Sequence, residues 1–455
     1  MPTIKRVFVA NRGEIAVRII RACRDLGIET VIGVSEADRE SLGAHMADRA
    51  ICIGPAAAAQ SYLRPEILVT AAQGTGCQAV HPGYGFLSER AVFQRKCVEM
   101  GLIFIGPTAE AIDAMGDKLS AIALARDAGV PVVPGSAQLS SEAEMRDAAA
   151  TIGYPCLLKA SAGGGGRGMR IIRSDAELAT AFSSARAEAQ AAFGDPTVYL
   201  EKFVEHARHI EIQVIGDMQG NICHLFERDC SVQRRHQKLI EEAPSPVLPP
   251  ATRARMAEAA VALARNVGYS SAGTVEFVYD ADQDRFYFLE MNTRIQVEHP
   301  VTEMITGIDL VKEQLRIAMG EPLSFRQEDV RIRGHAIECR INAEDASSGF
   351  MPNPGRVTHW SAPEYPGLRL DTHCHEGYLV PPYYDSMIAK LIAWGENREQ
   401  AVKLMLSALD EFRVEGIKTT IPLQRAVVAH RTFREAEVTT RWLESEFLPS
   451  WNKAA

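Results

Sequence analysis

The chain has 455 residues, of which 46% are hydrophobic and 24% charged, a composition typical of a globular protein with two or three well-packed domains. Its formal net charge of −9 excludes nucleic acid as a general partner, because that binding requires a positive surface. No apolar run reaches the roughly 20 residues of a membrane span, and no signal-peptide pattern is present, so we expect a cytoplasmic protein. The nine cysteines include no CxxC pair, which favours reduced thiols over disulfides or a cysteine zinc site.

Residues 1–113 alternate short apolar strands with helical patterns. Strands are predicted at 7–10, 30–34 and 103–105, and a helix at 14–26, where apolar side chains recur at helical spacing. This alternation predicts a parallel sheet with crossover helices, and therefore an α/β fold. No G-x-G-x-x-G motif follows the first strand, so a dinucleotide-binding role is not supported.

A glycine-rich run lies in the next part of the chain. A predicted helix at 118–127 and a predicted strand at 156–159 precede the run GGGGRG at 163–168. Backbone N–H groups in such a run can approach phosphates closely, although glycines alone more often mark a flexible linker. The run is neither a Walker A motif nor a dinucleotide fingerprint. Lys159, at the end of the apolar strand, favours phosphate binding.

A segment dense in hydrogen-bond donors, SVQRRHQK at 231–238, follows strands predicted at 197–204 and 209–215. A solvated surface and an anion-binding pocket are both compatible with this composition. The remaining elements are predicted as a helix at 251–267, strands at 331–341 and 390–394, and a helix at 398–412.

A hairpin in the middle of the chain predicts a metal site. Strands are expected at 274–279 and 286–290, separated by a polar turn. If the hairpin pairs about Gln283, Glu276 and Glu290 become cross-strand neighbours, and two such carboxylates repel each other in an empty sheet. A divalent cation would remove this conflict, and Mg²⁺ suits a few oxygen ligands completed by water and phosphate. Asn292 could supply a third oxygen.

The polar residues that follow extend this pattern. In an extended backbone Glu290, Asn292, Arg294, Gln296 and Glu298 share one face, which places oxygen ligands beside a guanidinium and a second carboxylate. A half-exposed strand with a solvated face is the alternative.

Two other positions receive a structural interpretation from the residues alone. The pair His373 and His375 lacks companion ligands at metal-site spacing, so we favour no metal there. Arg340, taken in isolation, is interpreted as a structural ion-pair arginine.

Several long strings together resemble biotin carboxylase, the ATP-grasp component of biotin-dependent carboxylases. The resemblance covers nearly the whole chain and rests on these strings: ANRGEIA at 10–16, HPGYGFLSE at 81–89, KAS at 159–161 with the glycine run, ERDCSVQRRHQK at 227–238, EMNTRIQVEHP at 290–300 and PPYYDSM at 381–387. It implies a Rossmann-like N-terminal domain at 1–113, an ATP-grasp core at 114–330 with a mobile lid at about 132–203, a biotin carboxylase C-terminal domain at 331–445, and a tail at 446–455.

The resemblance also implies a reaction. ATP would phosphorylate bicarbonate to carboxyphosphate, and the CO₂ that this intermediate releases would be captured by the N1′ of biotin. Biotin is expected on a separate biotin carboxyl carrier protein, because the sequence contains no Ala-Met-Lys-Met signature. Carboxyltransferase subunits, one or two Mg²⁺ or Mn²⁺ ions and a homodimer are implied as well.

The resemblance assigns roles residue by residue. The ATP-binding residues would be Lys118, Lys159, Gly165, Gly166, Glu201, Lys202, Val204, His209, Gln233, His236, Glu276 and Glu290. The metal ligands would be Glu276, Glu290 and Asn292, and bicarbonate would bind to Lys238, Arg294 and the Val297 backbone. Glu298 would be the base and Arg340 the stabiliser of the biotin oxygen, with Tyr84 in the biotin pocket; the catalytic set is Arg294, Glu298, Lys238 and Arg340.

The parent enzyme stays open at this level. We favour the subunit of a bacterial-type acetyl-CoA carboxylase, which acts in fatty acid synthesis. A propionyl-CoA, other acyl-CoA or pyruvate carboxylase is the close alternative, because the chemistry of this chain would be identical. A non-catalytic ATP-binding regulator and a different ATP-grasp ligase are the alternatives from other classes.

Overall fold

The structure is a computed structural model that describes residues 4–160, 169–193 and 196–454. Gly165 and Gly166 lie outside the described residues. The predicted α/β class is confirmed, with the parallel sheet in the N-terminal part of the chain.

The N-terminal part forms a five-stranded sheet in the order β3-β2-β1-β4-β5, and all four pairings are parallel. Its strands are β1 Arg6–Val9, β2 Glu29–Ser35, β3 Arg49–Gly54, β4 Ala79–His81 and β5 Ile103–Phe104. Its helices are α1 Gly13–Asp25, α2 Leu42–Met46, α3 Pro65–Gly74, α4 Ala91–Glu99 and α5 Ala109–Gly116. Apolar clusters cover both faces of the sheet, as the near-continuous apolar strands require.

A smaller compact unit comprises Pro131–Ala207 and Val278–Leu289. It contains a three-stranded antiparallel sheet in the order β7-β6-β8. The helix α6 Lys118–Asp127 precedes it, and its own elements are α7 Glu142–Ile152, β6 Cys156–Ala160, β7 Arg170–Ile172, α8 Asp175–Phe193 and β8 Val198–Lys202. Buried residues such as Leu158 and Leu200 form its core.

The following part of the chain is built around an eight-stranded sheet in the order β13-β12-β9-β10-β11-β14-β21-β19. These strands and the helices between them are β9 Ala207–Gly216, β10 Ile222–Arg234, β11 Gln237–Ala243, α9 Pro250–Asn266, β12 Ser271–Asp280, β13 Arg285–Asn292, α10 His299–Thr306, α11 Leu310–Ala318 and β14 His335–Asn342.

The C-terminal elements pack around β14 and β21 with a large apolar cluster. They are β15 Glu344–Asp345, β16 Met351–Pro352, β17 Gly355–Arg356, β18 His359–Ser361, β19 Leu368–Thr372, β20 Leu379–Val380, β21 Met387–Gly395, α12 Arg398–Glu411, β22 Arg413–Glu415, α13 Ile421–Ala429, α14 Arg431–Arg434, a π-helical turn Leu443–Phe447 and α15 Leu448–Ala454. Short 3₁₀ turns occupy Glu36–Asp38, Ala58–Gln60, Gln327–Asp329 and Ala346–Ser348.

Two predicted strands differ from the structure. The extended row predicted over 290–298 ends with β13 at Asn292, and residues 293–298 form bends and turns. The chain has to turn there because α10 begins at His299, with Pro300 in its first turn, where proline is favoured. The strand predicted from residue 331 begins only at His335, because the Arg333 N–H bonds the Ile305 carbonyl outside the sheet.

The predicted division into three domains with a lid at about 132–203 stays a prediction, since compactness alone does not define a lid. Within the described ranges, no helix combines the length and the apolar character that a membrane crossing requires.

Candidate active site

Lys238 lies among three carboxylates at the start of β11. Its Nζ is 2.5 Å from Glu211 Oε2, 2.9 Å from Glu276 Oε1 and 2.6 Å from Glu298 Oε1. The three acids come from β9, from β12 and from the residue before α10, so neighbouring strands and one helix start build the cluster. Burial would lower the pKa of Lys238, but the carboxylates outweigh it and hold that pKa well above its usual value. The side chain is therefore a charged ammonium at neutral pH.

Arg228 on β10 lies beneath this cluster and binds Glu211, one of its three carboxylates. Its side chain is fully buried, and its guanidinium bonds Glu211 at 2.5 Å. The remaining donors bond Gln213, Thr302, Thr274 and Gln296. A buried charge is tolerated only when it is paired and its donors are satisfied, and this arrangement meets both conditions.

Glu298 links Lys238 to Arg340. It occupies the N-cap position of α10, but its side chain does not cap the helix; Oε1 accepts from Lys238 and Oε2 accepts from Arg340 at 3.0 Å. Burial would raise the pKa of Glu298, yet Lys238 and Arg340 outweigh it and keep the pKa well below its usual range. The side chain is thus an ionised carboxylate held by two cations.

Arg340 shares its charge with a second acid. Its Nε donates to Glu241 Oε1 at 2.6 Å, and the neighbouring nitrogen bonds Glu298. Burial raises the pKa of Glu241 to about 7, although Arg340 opposes that rise. The ion-pair interpretation of Arg340 and its predicted place in the site are therefore compatible, because one of its partners is Glu298 itself.

The proposed metal ligands have a donor set that fits Mg²⁺. Glu276 Oε1 accepts from Lys238, Asn292 and Gln296, while Oε2 has His209 Nε2 at 2.8 Å and keeps a lone pair for a cation. Partial loss of solvent and the nearby Glu276 raise the pKa of Glu290, and the repulsion between the two carboxylates is the charge conflict that the sequence predicted for this hairpin. Two carboxylates and one amide oxygen are ligands that Mg²⁺ accepts.

Arg294 is brought beside these ligands by the bend after β13. One guanidinium nitrogen donates to Asn292 Oδ1 at 3.0 Å, and Nε donates to Glu89 at 2.8 Å. Glu89 ends the HPGYGFLSE string and Arg294 lies in the EMNTRIQVEHP string. The contact therefore joins two of the strings on which the resemblance to biotin carboxylase rests.

A buried lysine, Lys390, contacts the backbone of Val297 and the glutamate that binds Tyr84. The Val297 carbonyl accepts a hydrogen bond from Lys390 Nζ at 2.9 Å. Tyr84 donates its hydroxyl proton to Glu14, and Glu14 Oε1 lies 3.1 Å from Lys390. Burial raises the pKa of Tyr84, so its hydroxyl keeps the proton that it donates to Glu14.

The structure does not bring every predicted residue of the larger unit into this cluster. His236 is exposed at the β10–β11 turn with a positive φ of 65°, while Gln233 is buried on β10. Lys118 is the exposed first residue of α6. His209, in contrast, contacts Glu276, and burial would lower its pKa but Glu276 raises it.

Among the residues that the structure describes, the smaller unit holds four of the predicted ATP-binding residues. Lys159 and Glu201 form an ion pair across β6 and β8. Lys202 donates to the carbonyls of Gly153 and Tyr154, and Val204 is buried. These contacts place all four on or just after one antiparallel sheet.

Reasoning from the sequence missed several residues of the cluster. Glu211 and Arg228 form its floor, while Glu241 and Lys390 flank Arg340 and Val297. The sequence carried one signal, because Glu211 and Gln213 alternate with apolar residues on a strand that proves to be central in its sheet.

Three family descriptions match successive parts of the chain: "Biotin carboxylase, N-terminal domain" at 3–112, "Carbamoyl-phosphate synthase L chain, ATP binding domain" at 117–326 and "Biotin carboxylase C-terminal domain" at 338–445. Together with the fold, these matches define an ATP-dependent carboxylase ligase.

The relatives cover nearly the whole chain. Biotin carboxylase 1 of Bacillus subtilis is 54% identical over 97% of this chain and 98% of its own length. A pyruvate carboxylase subunit of Methanothermobacter thermautotrophicus is 52% identical over 96% of this chain and 89% of its own. The biotin carboxylase domain dimer of Hydrogenobacter thermophilus 2-oxoglutarate carboxylase, solved with MgADP, ADP and bicarbonate, has a TM-score of 0.87 at 50% identity and covers 98% of both chains. The chain therefore belongs to the biotin carboxylase family.

Proposed function

We propose that this chain carboxylates biotin on a separate biotin carboxyl carrier protein, using ATP and bicarbonate by way of carboxyphosphate. The observation that carries the proposal is Glu298, an ionised buried carboxylate held between Lys238 and Arg340. A base and two cations at one point suit a reaction in which an anion is first deprotonated and a second anion is then stabilised.

The first step concerns bicarbonate. Lys238, Arg294 and the Val297 backbone would bind it, and Glu298 would take its proton. The oxygen so freed attacks the γ-phosphorus of ATP, the bond to the β-phosphate oxygen breaks, and ADP and carboxyphosphate result. Lys238 and Arg340 hold Glu298 in the ionised form that can accept a proton, and Glu211 and Glu276 take part of the charge of Lys238.

The second step concerns biotin. Carboxyphosphate breaks down to CO₂ and phosphate, the released phosphate takes the N1′ proton of biotin, and the nitrogen then forms the new bond to the carbon of CO₂. Arg340 would stabilise the negative ureido oxygen, with Tyr84 beside it in the pocket. A planar guanidinium suits this oxygen because it can keep one donor on Glu241 while it offers another.

The nucleotide contacts complete the proposal. Glu276, Glu290 and Asn292 would hold one or two Mg²⁺ or Mn²⁺ ions, which neutralise phosphate charge when bound. The remaining ATP-binding residues are proposed as the sequence implied them: Lys118, Lys159, Gly165, Gly166, Glu201, Lys202, Val204, His209, Gln233 and His236. The complex of the Hydrogenobacter relative with MgADP and bicarbonate supports these ligands.

For the parent enzyme we propose acetyl-CoA carboxylase, with a carrier protein and carboxyltransferase subunits as partners in the cytoplasm. The Bacillus relative supports a stand-alone biotin carboxylase. The corresponding subunit of pyruvate carboxylase is the second candidate, since that relative is nearly as similar. A homodimer is proposed from the dimer of the Hydrogenobacter relative. A non-catalytic regulator would predict loss of the charged set around Lys238, yet the set is complete.

The test is ADP release from Mg²⁺-ATP with and without bicarbonate, and with and without free biotin. We expect ADP formation that requires bicarbonate and rises with biotin. Glu298→Gln should lower kcat by about 100-fold or more, the range that loss of a general base gives. ADP formation independent of bicarbonate in the wild type would contradict the proposal.

The parent enzyme needs a separate assay. This chain is used to carboxylate the carrier protein of each candidate complex, the matching carboxyltransferase is added with acetyl-CoA, propionyl-CoA or pyruvate, and the carboxylated product is measured. The highest rate of product formation with the acetyl-CoA carboxylase carrier supports our proposal. The highest rate with the pyruvate carboxylase carrier replaces it with the second candidate.

A further inference from the structure

Lys390 is a fully buried lysine that the proposed mechanism does not use. It lies on β21, where it pairs in register with Arg340 on β14 and with Asp371 on β19. Removing an ammonium from water costs free energy that its protein partners have to offset. The partners of the Lys390 ammonium therefore show which segments this buried charge holds in place.

Its three contacts lie on three different segments. Nζ donates to the Val297 carbonyl at 2.9 Å and lies 3.1 Å from Glu14 Oε1 on α1. Asp371 Oδ2 is more distant, at 3.9 Å. The closest partner is thus a neutral carbonyl of the segment between β13 and α10, although two carboxylates are available.

The hydrogen bond to Val297 has a consequence for Glu298. The carbonyl of Val297 and the N–H of Glu298 belong to one planar peptide unit, so fixing the oxygen fixes the plane. This segment has left the sheet at Asn292, and among the described residues it pairs with no strand that could orient it. The His299 N–H closes a turn on the Gln296 carbonyl at 3.3 Å, and Lys390 adds the hydrogen bond to the Val297 carbonyl that a sheet ladder would otherwise give.

The contact to Glu14 extends the arrangement. Glu14 is buried and accepts the Tyr84 hydroxyl, so one ammonium joins the Val297 peptide to the residue proposed for the biotin pocket. The Lys390 ammonium therefore contacts both the Val297 peptide, proposed to bind bicarbonate, and Glu14, which holds the Tyr84 side chain of the proposed biotin pocket.

We propose that Lys390 is a positioning residue, which orients the Val297–Glu298 peptide for bicarbonate and, through Glu14, holds Tyr84. This inference rests on the proposed roles of Val297, Glu298 and Tyr84. Lys390 itself touches no substrate; it acts through the backbone that it binds.

The main test is Lys390→Met, which keeps the length of the side chain and removes its charge and donors. Bicarbonate-dependent ADP formation is measured without biotin, and KM is determined separately for bicarbonate and for ATP. We expect KM for bicarbonate to rise and kcat/KM for bicarbonate to fall by roughly 100-fold, as a small misplacement of a reacting group gives, while KM for ATP stays unchanged.

A matched control separates positioning from a general loss of stability. Arg253→Met also removes the cationic partner of a buried carboxylate, Glu227, to which Arg253 donates at 2.7 Å. We expect it to lower Tm and to leave both KM values unchanged. If Lys390→Met behaves in the same way, Lys390 is structural and the inference is overturned.

A second variant covers the case in which the single variant does not fold. Lys390→Met combined with Glu14→Gln removes both opposite charges together, and its folding is verified by circular dichroism and Tm. It should show the same bicarbonate defect and also a raised KM for biotin. A folded double variant with wild-type KM for bicarbonate overturns the inference.

Arg294→Met distinguishes this inference from the function on which it rests. If Arg294→Met raises KM for bicarbonate and the Lys390 variants do not, only the role of Lys390 is wrong. If neither variant changes KM for bicarbonate, the proposed bicarbonate site itself is wrong.

Discussion

Arg340 shows how one side chain can be both a structural partner and a reactive group. Its fork reaches Glu241 with one nitrogen and Glu298 with another, a geometry that the single ammonium of a lysine does not reproduce. Charged hydrogen bonds of this kind are directional, so the position of the guanidinium is fixed by two acids before a substrate arrives.

Arg340→Lys is therefore expected to lose biotin carboxylation while keeping nucleotide binding. We expect kcat for carboxylation of free biotin to fall by about 100-fold, the cost of losing one oriented donor to a developing oxyanion. The Kd for MgADP, measured by calorimetry, should stay unchanged. Equal loss of both properties would show that Arg340 supports the fold of the site rather than biotin.

Glu290 carries the prediction about the metal. Glu290→Gln removes the charge that conflicts with Glu276, so in EDTA the free energy of unfolding should rise by about 0.5 kcal/mol. MgADP at 100 times its Kd should stabilise the wild type by about 2.7 kcal/mol in urea unfolding, and the variant should lose the Mg²⁺-dependent part of this gain. Glu110→Gln, at an exposed position on α5, is the control. Undiminished stabilisation of Glu290→Gln by MgADP would exclude Glu290 as a ligand.

At the scale of elements, buried ion pairs fix helices to the large sheet. Arg398 begins α12 and contacts Glu242 on β11 through two nitrogens, at 2.6 and 3.1 Å. His335 on β14 adds a third contact at 2.8 Å. Burial would raise the pKa of Glu242, but Arg398 and His335 outweigh it and lower the pKa to about 2.

The sign of the pH dependence follows from this lowered pKa. The unfolded pKa of Glu242 is 4.5, so the ion pair contributes fully above pH 4.5 and its contribution is lost as the pH falls through about 2. Arg398→Met should cost about 3 kcal/mol near neutral pH, the effect of breaking a buried pair. The difference from wild type should shrink between pH 4.5 and 2 in urea unfolding.

Arg425→Met is the matched control for this measurement. Arg425 pairs with Asp410 at an exposed position, where such pairs contribute at most about 1 kcal/mol. A constant difference between Arg398→Met and wild type across the acid range would show that the pair does not lower the pKa of Glu242.

At the scale of the whole molecule, the nine cysteines all lie in the described part of the chain, where no disulfide links them and Cys52 alone is exposed. Burial raises the pKa of thiols such as Cys23 and Cys97 to about 12, so these remain protonated and unreactive. A thiol reagent should therefore titrate one group rapidly in the native protein and all nine after denaturation. Cys52→Ser should abolish the rapid reaction, and fewer than nine thiols in denaturant without reductant would reveal a disulfide.

Three strands and the first helix of the N-terminal region, and the hairpin that carries Glu276 and Glu290, could be predicted from the sequence. Alternating strand and helix patterns depend on neighbours a few residues apart, which a single sequence displays directly. The helix Lys118–Asp127 begins and ends where its pattern predicted. The prediction failed over 293–298, where the start of the next helix overrode a strand-like alternation of polar and apolar residues.

Tertiary structure alone decided how the charges of the site are shared. Lys238 is separated from Glu211 by 27 positions in the chain and from Glu298 by 60, and no local pattern relates them. The role of Lys390 could not be predicted from the sequence either, because its partner is the carbonyl of Val297, 93 residues away. Every residue has a backbone carbonyl, so the residue type at position 297 does not reveal this contact. The sequence by itself determined which residue types were available and on which elements they lie. Which carboxylate meets which cation was decided only when the large sheet brought distant strands together, since burial makes every unpaired charge costly and leaves few arrangements that satisfy them all.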